Sequence, residues 1–291
     1  MTHAVQLIVL GVLLGGVYGL MATGLTLVYG VMQVINLAHA VLMVAAAYVA
    51  FLLFDHWGVD PFVSILVTAP LFFVVGVALY AVLFERIAGS HRFGEMTVLL
   101  TFGLALVVEG VLGRIFTGIY HSSNPSYATA TFHLGDLFVP RSQLYAFVAS
   151  IVLVGLLWGV LYLTRTGYAI RAAMQNPVAA EIIGVDIRRT SAIAFGIGLA
   201  LAGSAGSLMS FLFTFFPGVH WQWIALLLSL VVVGGLGSLH GALVAAIGLA
   251  VISAFVTDHF GPTWSYLTFY VALFAVLLIR PQGLFGRKEV V

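Results

Sequence analysis

The chain has 291 residues, of which 62 % are hydrophobic and 7 % charged, whereas soluble domains carry about a quarter of their residues as charges. This excludes an ordinary soluble domain and indicates an integral membrane protein. Cysteine is absent, which removes disulfides, thiolate chemistry and cysteine-based metal sites. A net charge of +1 gives no basis for nucleic-acid binding.

Apolar stretches of about twenty residues mark spans, because the hydrocarbon core is about 30 Å thick and a helix rises about 1.5 Å per residue. Nine intervals qualify: 5–29, 34–54, 61–84, 96–116, 142–163, 191–215, 223–239, 241–257 and 264–280. The first has no Lys or Arg ahead of it and is too long for a cleaved signal peptide, so it reads as a span. Nine of the eleven basic residues fall in three places: Arg86 and Arg92; Arg165, Arg171, Arg188 and Arg189; Arg280, Arg287 and Lys288. The positive-inside rule places all three in the cytoplasm, with the N-terminus and the 117–140 loop outside. Intervals 34–54 and 223–239 are the weakest as full spans, and broken or re-entrant segments are expected near 30–40 and 234–241.

In the first of these, Gln33, Asn36 and His39 recur at i, i+3 spacing, and Met43 continues the face. A polar stripe is costly against lipid, so it should face protein or a water-filled path. Satisfied interhelical hydrogen bonds and a role in the substrate path are both open readings. The second break, GGLGSLHG, exposes backbone at Gly234, Gly235, Gly237 and Ser238, as in the interrupted helices of transporters. His39 and His240 each follow a break and lead into an alanine-rich helix, which reads as a weak parallel repeat. Gly11, Gly15 and Gly19, and likewise Gly198, Ala202 and Gly206, are small-residue faces for close helix packing.

Glu109 falls within the fourth interval, and Arg114, five residues on, is about 140° round the helix and poorly placed to pair with it. Its position toward the outer end points to external water, and it is not read as a transport residue. Tyr120, His121, Tyr127, His133, Asp136, His220 and Trp221 populate the external segments. They are either an interfacial aromatic belt or a docking surface for an extracytoplasmic partner.

The stretch 164–190 is the long polar interruption. Asn176-Pro177 is an N-cap with proline at the first helical position, and Gly184 is placed for a left-handed cap. A helix of roughly two turns is expected there, outside the bilayer on the basic side. No P-loop exists, since Lys288 is the one lysine and Glu289 follows it. No pair of histidines has the spacing of an H-E-x-x-H zinc site. Two classes remain: the membrane subunit of a pump whose ATPase is another polypeptide, or a self-contained secondary transporter or channel.

Three segments carry a family resemblance along nearly the whole chain: GLTLVYGVMQVINLAHA, RTGYAIRAAMQNPVAAEIIGVDIRRTSAIAF and GGLGSLHGA. In this order they resemble the permease subunits of bacterial branched-chain amino-acid ABC importers, the LivH type. The resemblance implies an all-α polytopic transmembrane bundle of about eight spans, one permease domain over 1–291, in the bacterial cytoplasmic (inner) membrane. It implies a second permease subunit, two ATP-binding subunits that carry the ATP, and an extracytoplasmic substrate-binding protein; no cofactor is expected on this chain. The coupling element would comprise Arg171, Asn176, Pro177, Ala179, Ala180, Glu181 and Gly184, with paired alanines ahead of the glycine. The chain departs from the family pattern at Ala40-Val41 and at His240. Both positions adjoin the expected breaks, so branched-chain amino acids, urea and amides all stay open as substrates.

Overall fold

The computed structural model describes residues 2–286 apart from 89 and 136. Its helices are α1 (Thr2–Met32), α2 (His39–Trp57), α3 (Pro61–Leu79, continued by a wider π turn to Phe84), α4 (Phe93–Phe116), α5 (Arg141–Leu163), α6 (Arg165–Gln175), α7 (Pro177–Ile182), α8 (Ile187–Leu212), α9 (His220–Gly234), α10 (Leu239–Phe260) and α11 (Pro262–Ile279). One antiparallel hairpin, β1 (Thr131–Leu134) and β2 (Leu137–Pro140), lies in the external loop. That hairpin is the small departure from an all-α chain.

Among the described residues, nine helices are long and apolar enough to cross a membrane. The seventh of these reaches the necessary length only with the tight turn Pro217–Val219 included. Alone, α9 has 15 residues, about 22 Å at 1.5 Å per residue, less than the hydrocarbon thickness of about 30 Å. Among the described residues there are thus nine candidate spans where about eight are expected, the seventh completed by that turn.

Local chemistry sets the helix boundaries. Gly58, with φ +65°, ends α2. Asp60 then caps α3 by accepting the Phe62 N–H at 2.8 Å, with Pro61 in the first turn. The axis of the bundle is α8, whose small residues admit a neighbour on several sides. An added Cβ on Gly203 would come within 2.7 Å of the Thr68 carbonyl of α3, and one on Gly206 would strike the Met43 carbonyl of α2. Across the α3–α8 seam the Thr68 and Ser207 hydroxyls are 2.8 Å apart. Gly11 and Gly15 of α1 face the α10 backbone at Val251 and Ile247, 2.5 and 2.6 Å from where a Cβ would stand. The small-residue faces thus serve packing.

Contacts at the two ends agree with the charge-based topology. At one end Arg188 pairs with Glu85. At the other, His3 meets Asp258 at 2.9 Å, and Gln6 donates to the Phe138 carbonyl at 2.6 Å. Much of the external loop is folded inward. His121 exchanges backbone hydrogen bonds with Phe215 (2.8 and 2.9 Å), and its ring packs among Tyr48, Phe51 and Phe116. Tyr127 donates to Asp60 Oδ1 at 3.0 Å. These aromatics cover the outer end of the bundle, while Asp136 lies outside the described residues.

Candidate translocation path and coupling helix

The sequence pattern suggests a helical stripe through Gln33, Asn36 and His39; the backbone there is not helical. The α1 helix stops at Met32, Gln33 takes φ +55°, and 33–38 is non-helical until α2 starts at His39. Gln33 is exposed, whereas Asn36 and His39 are completely buried. Asn36 itself drives the break: its Oδ1 accepts the Ala38 N–H at 3.1 Å and its carbonyl accepts the His39 N–H at 3.3 Å. Such local side-chain bonds compete with helix continuation.

The segment sits deep. Leu37 N–H donates to Thr101 Oγ1 at 3.2 Å, about two turns into α4. His39 Nε2 lies 3.3 Å from the Met21 carbonyl, about three turns before the end of α1. A carbonyl only accepts, so Nε2 carries the proton and Nδ1 presents a lone pair. That Nδ1 and the Asn36 Nδ2 are buried without partners, an expensive condition away from water.

The second break is built from glycine. Gly235 and Gly237 have φ +101° and +78°, conformations that side chains with a Cβ resist. Ser238 then caps α10, accepting the Gly241 N–H at 3.1 Å. Gly234 is buried where the α9 and α10 backbones meet. The freed carbonyls at the end of α9 are taken by the C-terminal segment: Leu284 and Phe285 donate to Val233 and Gly234 at 2.9 and 3.1 Å. A Cβ on Gly237 would lie 3.4 Å from Gly30 Cα, in the last turn of α1. The two breaks therefore share the end of α1. The parallel between His39 and His240 stops at their place in the chain, because His240 is exposed and its ring lies 4.4 Å from that of Trp158.

The short polar helix forms as its sequence dictates. Asn176 Oδ1 accepts the Ala179 N–H at 3.0 Å, Pro177 opens α7, and Gly184 takes φ +92°. Ala180 is buried, whereas Ala179 and Glu181 are exposed. Val178, Ile182 and Ile183 are 66 %, 81 % and 77 % exposed, an apolar patch on a polar loop. Arg171 stacks on Tyr162 and Tyr168, 4.3 and 4.9 Å from their ring centres, and so braces the preceding helix instead of facing solvent alone.

That preceding helix, α6, is not evident from the reading of 164–190 as a polar interruption. Its signals are Thr164, which caps it by accepting the Gly167 N–H at 3.0 Å, and Ile170, Ala173 and Met174 on one face. Met174 packs onto Gly30 of α1. A continuous line of contacts thus runs from α7 through Met174 and Gly30 to both breaks.

Glu109 also gains a partner that sequence spacing does not supply. Trp221 Nε1 donates to its Oε2 at 3.2 Å, and His220 Nε2 lies 3.9 Å from the same oxygen.

A family model described as "Branched-chain amino acid transport system / permease component" matches residues 7–278. The chain belongs to this permease family. The permease is 30 % identical to a probable branched-chain amino acid transport permease protein LivH of Methanocaldococcus jannaschii, over 92 % of this chain and 88 % of that one. It is 26 % identical to the high-affinity branched-chain amino acid transport system permease protein BraD of Pseudomonas aeruginosa, over 99 % and 97 %. Against the LivH protein of Escherichia coli K12 it is 26 % identical, over 96 % and 94 %. The permease is thus a multi-pass membrane protein and a transport component.

Proposed function

We propose that the permease is the membrane subunit of an ATP-driven importer for branched-chain or other small neutral amino acids, in the cytoplasmic membrane. It works with a second permease, two ATP-binding subunits that hold and hydrolyse the ATP, and an extracytoplasmic binding protein. The observation that carries this reading is α7. It is a capped helix on the arginine-rich loop, it presents Val178, Ile182 and Ile183 to solvent, and it connects through Met174 to Gly30. A large exposed apolar patch on a soluble face marks an interaction site. Movement of the ATPases would press on α7 and shift α6 against α1. The breaks at 33–38 and 235–238 would then change which side of the membrane reaches Asn36 and His39. Co-reconstitution with partner proteins encoded beside it tests the reading. ATP-dependent accumulation of leucine in proteoliposomes is expected, and ATP-independent accumulation by the permease alone would refute it.

A further inference from the structure

We propose that Glu109 forms a subsite for the primary ammonium group of the solute at the outer mouth of the path, an inference that rests on the amino-acid importer reading above. A carboxylate within a span is expensive unless paired. Among the described residues no Arg or Lys forms a salt bridge with Glu109, and the Trp221 N–H satisfies only one of its several acceptor positions. Its side chain is 29 % exposed and opens into a groove of about 480 Å³ lined by Leu106, Gly110, Gly113, Phe216 and Gly218. A Cβ on Gly110 or Gly113 would meet nothing, so α4 leaves the approach to the carboxylate clear.

A second observation points the same way. His220 Nδ1 lies 2.9 Å from the Pro217 carbonyl and must donate to it, which leaves the Nε2 of a neutral ring as a lone pair. That Nε2 is buried, has no hydrogen-bond partner and is turned toward Glu109 at 3.9 Å. Two acceptors at this separation lack a donor between them. An ammonium group carries three donors and one positive charge; from the groove it reaches the partly exposed carboxylate, which the buried His220 Nε2 faces from the protein side. Leu106 and Phe216 offer apolar surface to an aliphatic side chain. The groove also adjoins Pro217 and Gly218, the turn that starts α9, and the far end of α9 is the glycine break. The groove therefore lies at the start of the helix whose other end is the glycine break.

The test is calorimetric titration of the assembled, nucleotide-free transporter complex in detergent with leucine, isoamylamine, which lacks the carboxylate, and 4-methylpentanoate, which lacks the ammonium. Leucine and isoamylamine should bind and 4-methylpentanoate should not. Glu109→Gln, which keeps an acceptor for Trp221, should weaken both amines by about tenfold or more, the lower end for a hydrogen bond to a charged group. Glu109→Asp, which keeps the charge, should retain binding. Equal binding of the deaminated acid, unchanged amine affinity in Glu109→Gln, or no amine binding to the wild-type complex overturns the subsite. ATP-driven leucine uptake by the same wild-type preparation judges the importer reading separately, so the two failures are distinguishable.

Discussion

Removing the cap of α7 tests the coupling role with a calculable perturbation. Asn176→Ala deletes the 3.0 Å bond to the Ala179 N–H and touches little else, since Asn176 is exposed. Loss of such a cap costs typically about 1 kcal/mol, a factor of about five in the population of the capped helix at RT of about 0.59 kcal/mol. A helix of six residues has no interior to absorb that loss, because isolated helices shorter than about 12 residues are marginal in water. In proteoliposomes containing the complete transporter, leucine accumulated per ATP hydrolysed should fall by up to about fivefold, with complex assembly retained. Asn176→Asp, which keeps an acceptor at the cap, should restore most of the ratio. An unchanged ratio in Asn176→Ala would refute α7 as the element that receives ATPase movement.

Gly206→Leu forces a side chain into the Met43 carbonyl and the Ala46 and Ala47 backbone region, and overpacking of this kind costs about 1–3 kcal/mol. A lower melting temperature of the purified permease should report it. A double-mutant cycle on Thr68→Ala and Ser207→Ala should give a coupling near 0.6 kcal/mol and below about 1.7 kcal/mol, the range for hydrogen bonds between membrane helices. Burial of Tyr127, reinforced by the neighbouring Asp60 carboxylate and the bond to it, pushes the phenol above the usual tyrosine range. The neutral form is then the one favoured in the folded state. Its contribution to stability is complete below the unfolded value of about 10 and declines as pH rises above it, and Tyr127→Phe should flatten that alkaline decline in thermal melts.

Much of this architecture is legible in sequence because bilayers impose few rules and impose them strictly. Apolar length suffices for the nine candidate spans, and the placement of Arg86, Arg92, Arg188 and Arg189 gives their expected direction. Asn176, Pro177 and Gly184 suffice for α7, since caps act on the nearest residues. Other features depend on contacts between distant segments. Nothing local to Glu109 reveals that Trp221 and His220 reach it, 112 and 111 positions away in the chain. The stripe through Gln33, Asn36 and His39 has helical spacing, yet Asn36 bonds its own backbone and Thr101 takes the Leu37 N–H, so tertiary context overrides the period. The α6 helix escapes notice because its small buried face, Ile170 and Ala173, is diluted by arginines.

The central claim is that a path passes Asn36 and that ATP changes its accessibility. Because the chain contains no cysteine, Asn36→Cys can be probed alone with a membrane-impermeant maleimide in the reconstituted complex. Labelling from opposite faces of the membrane in the nucleotide-free and ATP-trapped states is the predicted result, with Ala46→Cys, buried between α2 and α8, unlabelled in both. Failure of Asn36→Cys to react from either face in any state, in a complex that still transports, would contradict the account.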